Sequence, residues 1–112
     1  MHEMGLCENI LGIAVDTAKK HGASKIVRVT IKAGEMRGIV DSQMKFCFTF
    51  MAKDTIAEEA ELVIEKIPIA AKCGKCGDLF TVLDFKFSCP KCLSEDLAIL
   101  SGKELVIKDI EV

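Results

Sequence analysis

Apolar residues recur at helical spacing near the start of this chain and at every second position soon after. Leu6, Ile10, Leu11, Ala14, Val15 and Ala18 line one face of a helix over residues 6–21. Lys19 and Lys20 fall in its last turn, where positive charge suits the helix dipole, and Gly22 can end it. From Lys25 to Ala33, Val27, Val29, Ile31 and Ala33 alternate with Arg28, Thr30 and Lys32. That period of two predicts a strand with one buried face. Gly34-Glu35-Met36-Arg37-Gly38 follows as a turn or loop. Asp41 reads as the N-cap of a second helix, Ser42 to Ala52. Met44, Cys47, Phe48 and Met51 form its core stripe, which Phe46 and Phe50 would widen. Thr55 with Glu58 fits a capping box and one further helical turn. Glu61 to Ile67 reads as a strand that Pro68 stops.

The second half changes character. Over about 71–96 the apolar residues thin, and Phe80, Val82, Phe85 and Phe87 are expected to fill a small core. Leu97 to Leu100 reads as a strand closing that module. Glu104 to Val112 is apolar on both faces, with Leu105 and Ile107 among them, and so predicts a central strand. A small module could not cover both faces, so this strand is expected to return to the first domain. The expected fold class is α/β in the α+β sense. A two-helix, three-stranded domain (1–70 plus 101–112) carries an inserted four-cysteine ribbon (71–100).

The cysteines give the ribbon its chemistry. Cys73-Gly-Lys-Cys76 and Cys89-Pro-Lys-Cys92 each have the spacing that lets one tight turn aim two sulfurs at a point. Twelve residues separate the pairs, enough for a short hairpin that brings the turns together. Four converging thiolates make a closed tetrahedral site, which suits Zn2+ in a structural role because no coordination position stays open. Gly77 follows the first pair, where the turn needs left-handed backbone, and Pro90 presets φ in the second. Iron in the same four-sulfur set is the alternative with identical ligands. Disulfides would need an oxidising compartment, and the opening residues are no secretory leader. A thioredoxin-like redox pair would need one motif on a βαβ unit, not two in a loop-rich stretch. Cys7 and Cys47 are the thiols outside the ribbon.

Composition narrows the function classes. With 15 basic and 17 acidic residues the formal charge is −2, and four thiolates around one divalent cation make it more negative. The ribbon lacks a basic face: Lys72, Lys75, Lys86 and Lys91 balance Asp78, Asp84, Glu95 and Asp96. With no Trp, no Tyr and six Phe there is no stacking platform either, so nucleic acid is not expected as a partner. No apolar run is long enough to span a membrane, and a cytoplasmic protein is expected. The glycines of 34–38 are not followed by Gly-Lys-Ser/Thr, so they make no P-loop and the chain has no nucleotide site of its own.

The chain opens Met1-His2-Glu3-Met4. A free amine, the amide nitrogen of His2 and its imidazole can close adjacent chelate rings. The Glu3 amide or a carboxylate can supply a fourth donor. Nitrogen-rich, square-planar coordination selects Ni(II) or Cu(II) over zinc. The bulk of His2 should also keep Met1 in place. Position alone favours the plainer reading, a solvated terminal histidine.

Taken together these residues resemble one family, the HypA/HybF hydrogenase-maturation nickel metallochaperones. The resemblance covers essentially the whole chain. It rests on Met1-His2-Glu3-Met4 and on Gly34 to Asp41 leading into Met44-Lys45-Phe46-Cys47-Phe48. Glu61 to Pro68 ahead of the first cysteine pair, and the two pairs themselves, complete it. It implies a chaperone, not an enzyme. Its cargo would be Ni2+ held by His2 with Met1 and Glu3, Asp41 standing nearby as an additional or supporting ligand. Cys73, Cys76, Cys89 and Cys92 would hold a structural Zn2+. It also implies partners: a HypB-type GTPase and the precursor of the NiFe-hydrogenase large subunit, with urease served by some members. Homodimers occur in the family. Gly5 departs from the pattern, since members often carry Ser there as a helix cap. The alternatives are a zinc-ribbon interaction adaptor without nickel trafficking, and a redox or metal enzyme using the thiols.

Overall fold

The first strand is the centre of a three-stranded sheet. In the computed structural model, which describes residues 2–112 with side chains from Glu3 onward, β1 (Arg28–Gly34) lies between β2 (Glu61–Ile67) and β6 (Leu105–Glu111). Val29, Thr30, Ile31 and Ala33 are all buried, so both faces of β1 are covered. The last strand does join this sheet, but at its edge: Val106 is 52% exposed. Apolar content on both faces misled the sequence reading, because an edge strand can also carry exposed valine. Val27, expected inside, is exposed just ahead of β1. Its N–H reaches the carbonyl of Glu111 at 2.7 Å, and its carbonyl accepts from Glu61 N–H at 3.0 Å. Arg28 stands on β1 between Glu61 of β2 and Glu111 of β6 and bonds to both carboxylates, pinning the three strands at one end.

Two helices accompany this sheet. α1 runs from His2 to Lys20, starting four residues earlier than the apolar stripe suggested. Its inner face is Glu3, Cys7, Ile10, Leu11, Ala14 and Ala18, so a buried carboxylate extends the stripe by one turn. Gly5 is therefore interior to α1, not at its cap. The C-terminal end is closed by His21, whose Nδ1 donates to the carbonyl of Thr17 at 2.9 Å. α2 spans Asp41–Met51, with Val40 as N-cap and no side-chain capping bond, so Asp41 is the first helical residue and not the cap. Met44 and Phe48 are fully buried on α2. Phe46 and Phe50 are 73% and 59% exposed, not core. Each lies two residues, about 200°, around the helix from a buried neighbour, so one face cannot hold all four. Beyond α2, residues 52–59 form turns and not another helix; Thr55 Oγ1 donates to the carbonyl of Ala52 and accepts from Ala57 N–H.

A second sheet has the order β4-β3-β5: β3 (Ala70–Cys73) pairs antiparallel with β4 (Leu79–Thr81) and with β5 (Leu97–Ser101). Ala71 faces Phe80 on one side and Ile99 on the other. Its core is Ile69, Ala71 and Val82 with Phe80, Phe87, Leu97 and Ile99. Ile69 was not anticipated there, and Phe85, which was, is 59% exposed, its ring centroid 6.3 Å from that of Phe87. By backbone proximity the chain divides into two compact units. One comprises 1–32, 39–65 and 106–112; the other comprises 33–38 and 66–105. No helix among the described residues is long and apolar enough to cross a membrane.

Candidate metal centre

The four ribbon cysteines converge. Their Sγ atoms all lie within 4.8 Å of one another, with Cys73–Cys92 and Cys76–Cys89 at 3.5 Å. A tetrahedron of sulfurs about 2.3 Å from a central zinc has edges of comparable length. Cys73 and Cys89 are buried, Cys76 and Cys92 exposed, so the site opens along one side while its floor is protected.

Each pair is built by the same local hydrogen bonds. The N–H of Cys73 donates to Asp78 O at 2.9 Å and the N–H of Gly77 to Cys73 O at 3.0 Å. Sixteen positions later, Cys89 N–H donates to Ser94 O at 2.8 Å and Leu93 N–H to Cys89 O at 2.9 Å. The two turns superimpose in sequence, so Leu93 occupies the place of Gly77. Both adopt left-handed backbone, φ +76° at Gly77 and +64° at Leu93. The glycine was legible in the sequence; the leucine was not, because nothing in its chemistry favours that conformation. The signal that could have found it was the equal offset from each cysteine pair. Lys91 on one turn reaches Asp78 on the other at 3.3 Å.

Backbone N–H groups aim at the first sulfur of each pair. Cys76 and Lys75 donate to Cys73 Sγ, each at 3.4 Å, and Cys92 donates to Cys89 Sγ at 3.5 Å. Donors of this kind stabilise thiolate. They hold Cys73 down to about 6, with Cys76 N–H the leading cause and burial opposing it. Cys92 N–H likewise lowers Cys89. In Cys76 the Asp78 N–H pulls downward but contact with Cys89 and burial prevail, pushing that thiol up to about 12. Cys92 is raised in the same way, by Cys73 against the pull of Ser94 N–H. A divalent ion of soft or borderline character binds thiolates by displacing their protons. The donor set, spacing and N–H···S bonds all fit Zn2+, which would bind to Cys73, Cys76, Cys89 and Cys92 and tie β3 to the turn ahead of β5.

The expected nickel ligands are distributed differently. Met1 and the side chain of His2 lie outside the described residues. Glu3 is 4% exposed at the start of α1, and Asp41 is half-buried at the start of α2. α1 and α2 pack against each other.

Comparisons with known proteins agree along the full length. The family model described as "Hydrogenase/urease nickel incorporation, metallochaperone, hypA" matches residues 1–112. Among relatives, a hydrogenase maturation factor HypA of Desulfatibacillum aliphaticivorans is 44% identical over all of this chain and 87% of its own length. One of Picosynechococcus sp. is 38% identical, over 100% of this chain and 99% of its own. The solution structure of a nickel metallochaperone HypA from Helicobacter pylori has a TM-score of 0.65 at 26% identity, covering 97% of this chain and 95% of that one. A second solution structure of a HypA protein reaches 0.72 at the same identity, covering 99% and 95%.

Proposed function

We propose a function from one premise: this chain belongs to the HypA family of hydrogenase/urease nickel-incorporation metallochaperones. It is a metallochaperone, not an enzyme. On our reading it binds Ni(II) at its amino terminus and passes the ion to the precursor of the NiFe-hydrogenase large subunit in the cytoplasm. A HypB-type GTPase supplies the nucleotide hydrolysis for which this sequence has no P-loop. The ligands are the Met1 amine, the His2 imidazole and amide, and Glu3, with Asp41 as a neighbouring carboxylate.

The observation that carries this reading is the start of α1 at His2 in a chain that matches the family from its first residue. The first N–H groups of a helix have no partner within it. Amide nitrogens there can lose a proton to a metal without breaking a helical hydrogen bond. A ligand set in residues 1–3 therefore leaves the rest of α1 folded. Release follows from the same chemistry: reprotonation of amide nitrogen, or competition from a partner's thiolates, frees the ion. The ribbon's cysteines hold a structural Zn2+ and shape a folded handle for partners.

The test is a calorimetric and visible-absorption titration of zinc-loaded, untagged protein with Ni2+, beside His2→Ala and a variant with one residue added before Met1. Stoichiometric, square-planar nickel in the wild type, lost in both variants with zinc retained, is expected. Equal binding by all three would overturn the amino-terminal assignment. Loss of zinc in His2→Ala would overturn the separation of the two sites.

A further inference from the structure

Two sulfur atoms outside the ribbon meet where α1 packs on α2, and a third stands one helical turn away. Cys7 Sγ lies 3.5 Å from Met44 Sδ and 3.3 Å from the Met44 carbonyl, to which it donates. Cys47 stands one turn along α2 from Met44, at the i+3 position that shares its face, and is near enough to act on the Cys7 thiol. Cys7 and Met44 are fully buried, while Cys47 is half-buried. The nickel reading uses none of these atoms.

We propose that Cys7, Cys47 and Met44 form a second metal site, a sulfur pocket between α1 and α2 for a soft monovalent cation of the Cu(I) class. Two thiols and a thioether are the donors that select such an ion. They come from two helices already packed together, so little ordering is required. Cys7 Sγ and Met44 Sδ, 3.5 Å apart, are spaced to share one ion, Met44 is flexible enough to adjust to it, and Cys47 offers a third sulfur from the next turn of the same helix face. Binding replaces the thiol protons of Cys7 and Cys47. The Glu3 carboxylate, one turn earlier on α1 and acting on Cys7, is an anionic neighbour that favours a cation there. Zinc and Ni(II) are poorly served, since a buried thioether is too weak a donor for either. The two ends of the first α1 turns therefore sort cations by donor type: nitrogen for nickel, sulfur for a softer ion.

The experiment is an anaerobic titration of full-length, zinc-loaded protein with Cu(I) buffered by a chromophoric chelator, with zinc release recorded in parallel. One equivalent bound by the wild type with zinc retained is expected. His2→Ala should bind it equally. Cys47→Ser should weaken it by more than about 100-fold, beyond what disturbing a neighbour of a ligand costs. Met44→Leu keeps the volume and should weaken it less; it also serves if Cys47→Ser does not fold. Unchanged affinity in either folded variant overturns the site. So does binding matched by stoichiometric zinc release, which places the ion in the ribbon, or binding lost in His2→Ala, which places it at the terminus.

Discussion

Gly34 faces the carbonyl of Gly102 so closely that a β-carbon on Gly34 would run into that carbonyl and into Lys103 N. The two backbones are held there by Gly34 N–H to Glu104 O at 2.7 Å and Met36 N–H to Gly102 O at 2.8 Å. Arg37 Nε adds a bond to Lys103 O at 2.9 Å. The glycine-flanked stretch 34–38 is thus a packing device and not a phosphate cradle. Gly34→Ala should lower stability by about 1–3 kcal/mol, the usual cost of forcing atoms into filled space. The midpoint of urea unfolding of zinc-loaded protein measures it. Gly102→Ala should cost at least as much, since φ is +109° there and the β-carbon would lie 2.9 Å from Ile69 Cα.

The matched turns of the ribbon set up an opposite pair of effects. Leu93 is 76% exposed and gains little from packing, yet holds left-handed backbone. Leu93→Gly should stabilise the zinc-loaded ribbon by about 1 kcal/mol, and Gly77→Ala should destabilise it by a similar amount. Thermal unfolding and chelator competition for zinc would show both.

Gly12 sits inside α1 with open space around the position of a β-carbon. Gly12→Ala should raise stability by about 0.5–1 kcal/mol through lower unfolded-state entropy. Nickel affinity should stay unchanged, because the substitution is far along α1 from residues 1–3.

Burial pushes the Cys7 thiol up to about 11 from its ordinary 9.0, with the neighbouring Cys47 and Glu3 adding to it. The folded state then holds a proton that the unfolded chain has lost. The stability tied to neutral Cys7 is complete below pH 9 and disappears as pH rises through about 11. The urea midpoint of zinc-loaded protein should fall over that window. Cys7→Ala should be less stable throughout, from the cavity it leaves, but should flatten the fall.

Zinc removal should unfold β3, β4 and β5. Their core is Ile69, Ala71 and Val82 with partly buried neighbours, too little to hold three strands of three to five residues. Metal binding supplies on the order of 10 kcal/mol in modules of this kind. After chelation, hydrogen exchange should lose protection across 70–101 while β1 and the inner face of α1 keep theirs.

Local chemistry was legible where a residue type admits few alternatives. Two cysteine pairs at equal spacing can hardly do anything but converge, and they do. Strand β2 was read to the residue, because Pro68 cannot continue a ladder. Period two revealed β1, and the clustering of apolar residues at every third or fourth position revealed both helices. The ends of helices were less legible: Glu3 extends α1 because a carboxylate can be buried once tertiary contacts accept it, and no periodicity count includes it. The same holds for Asp41, which enters α2 as its first residue. Sequence alone determined that this chain would have two helices, a small first sheet and a four-sulfur ribbon, since spacing, turn residues and thiol chemistry are properties of neighbours along the chain. Tertiary structure alone decided that β1 and not β6 is central, that Phe46, Phe50 and Phe85 face outward, that Leu93 is bent like a glycine, and that Cys7 meets Met44. Each of these depends on which surface covers a residue, and that is set by segments distant in the chain.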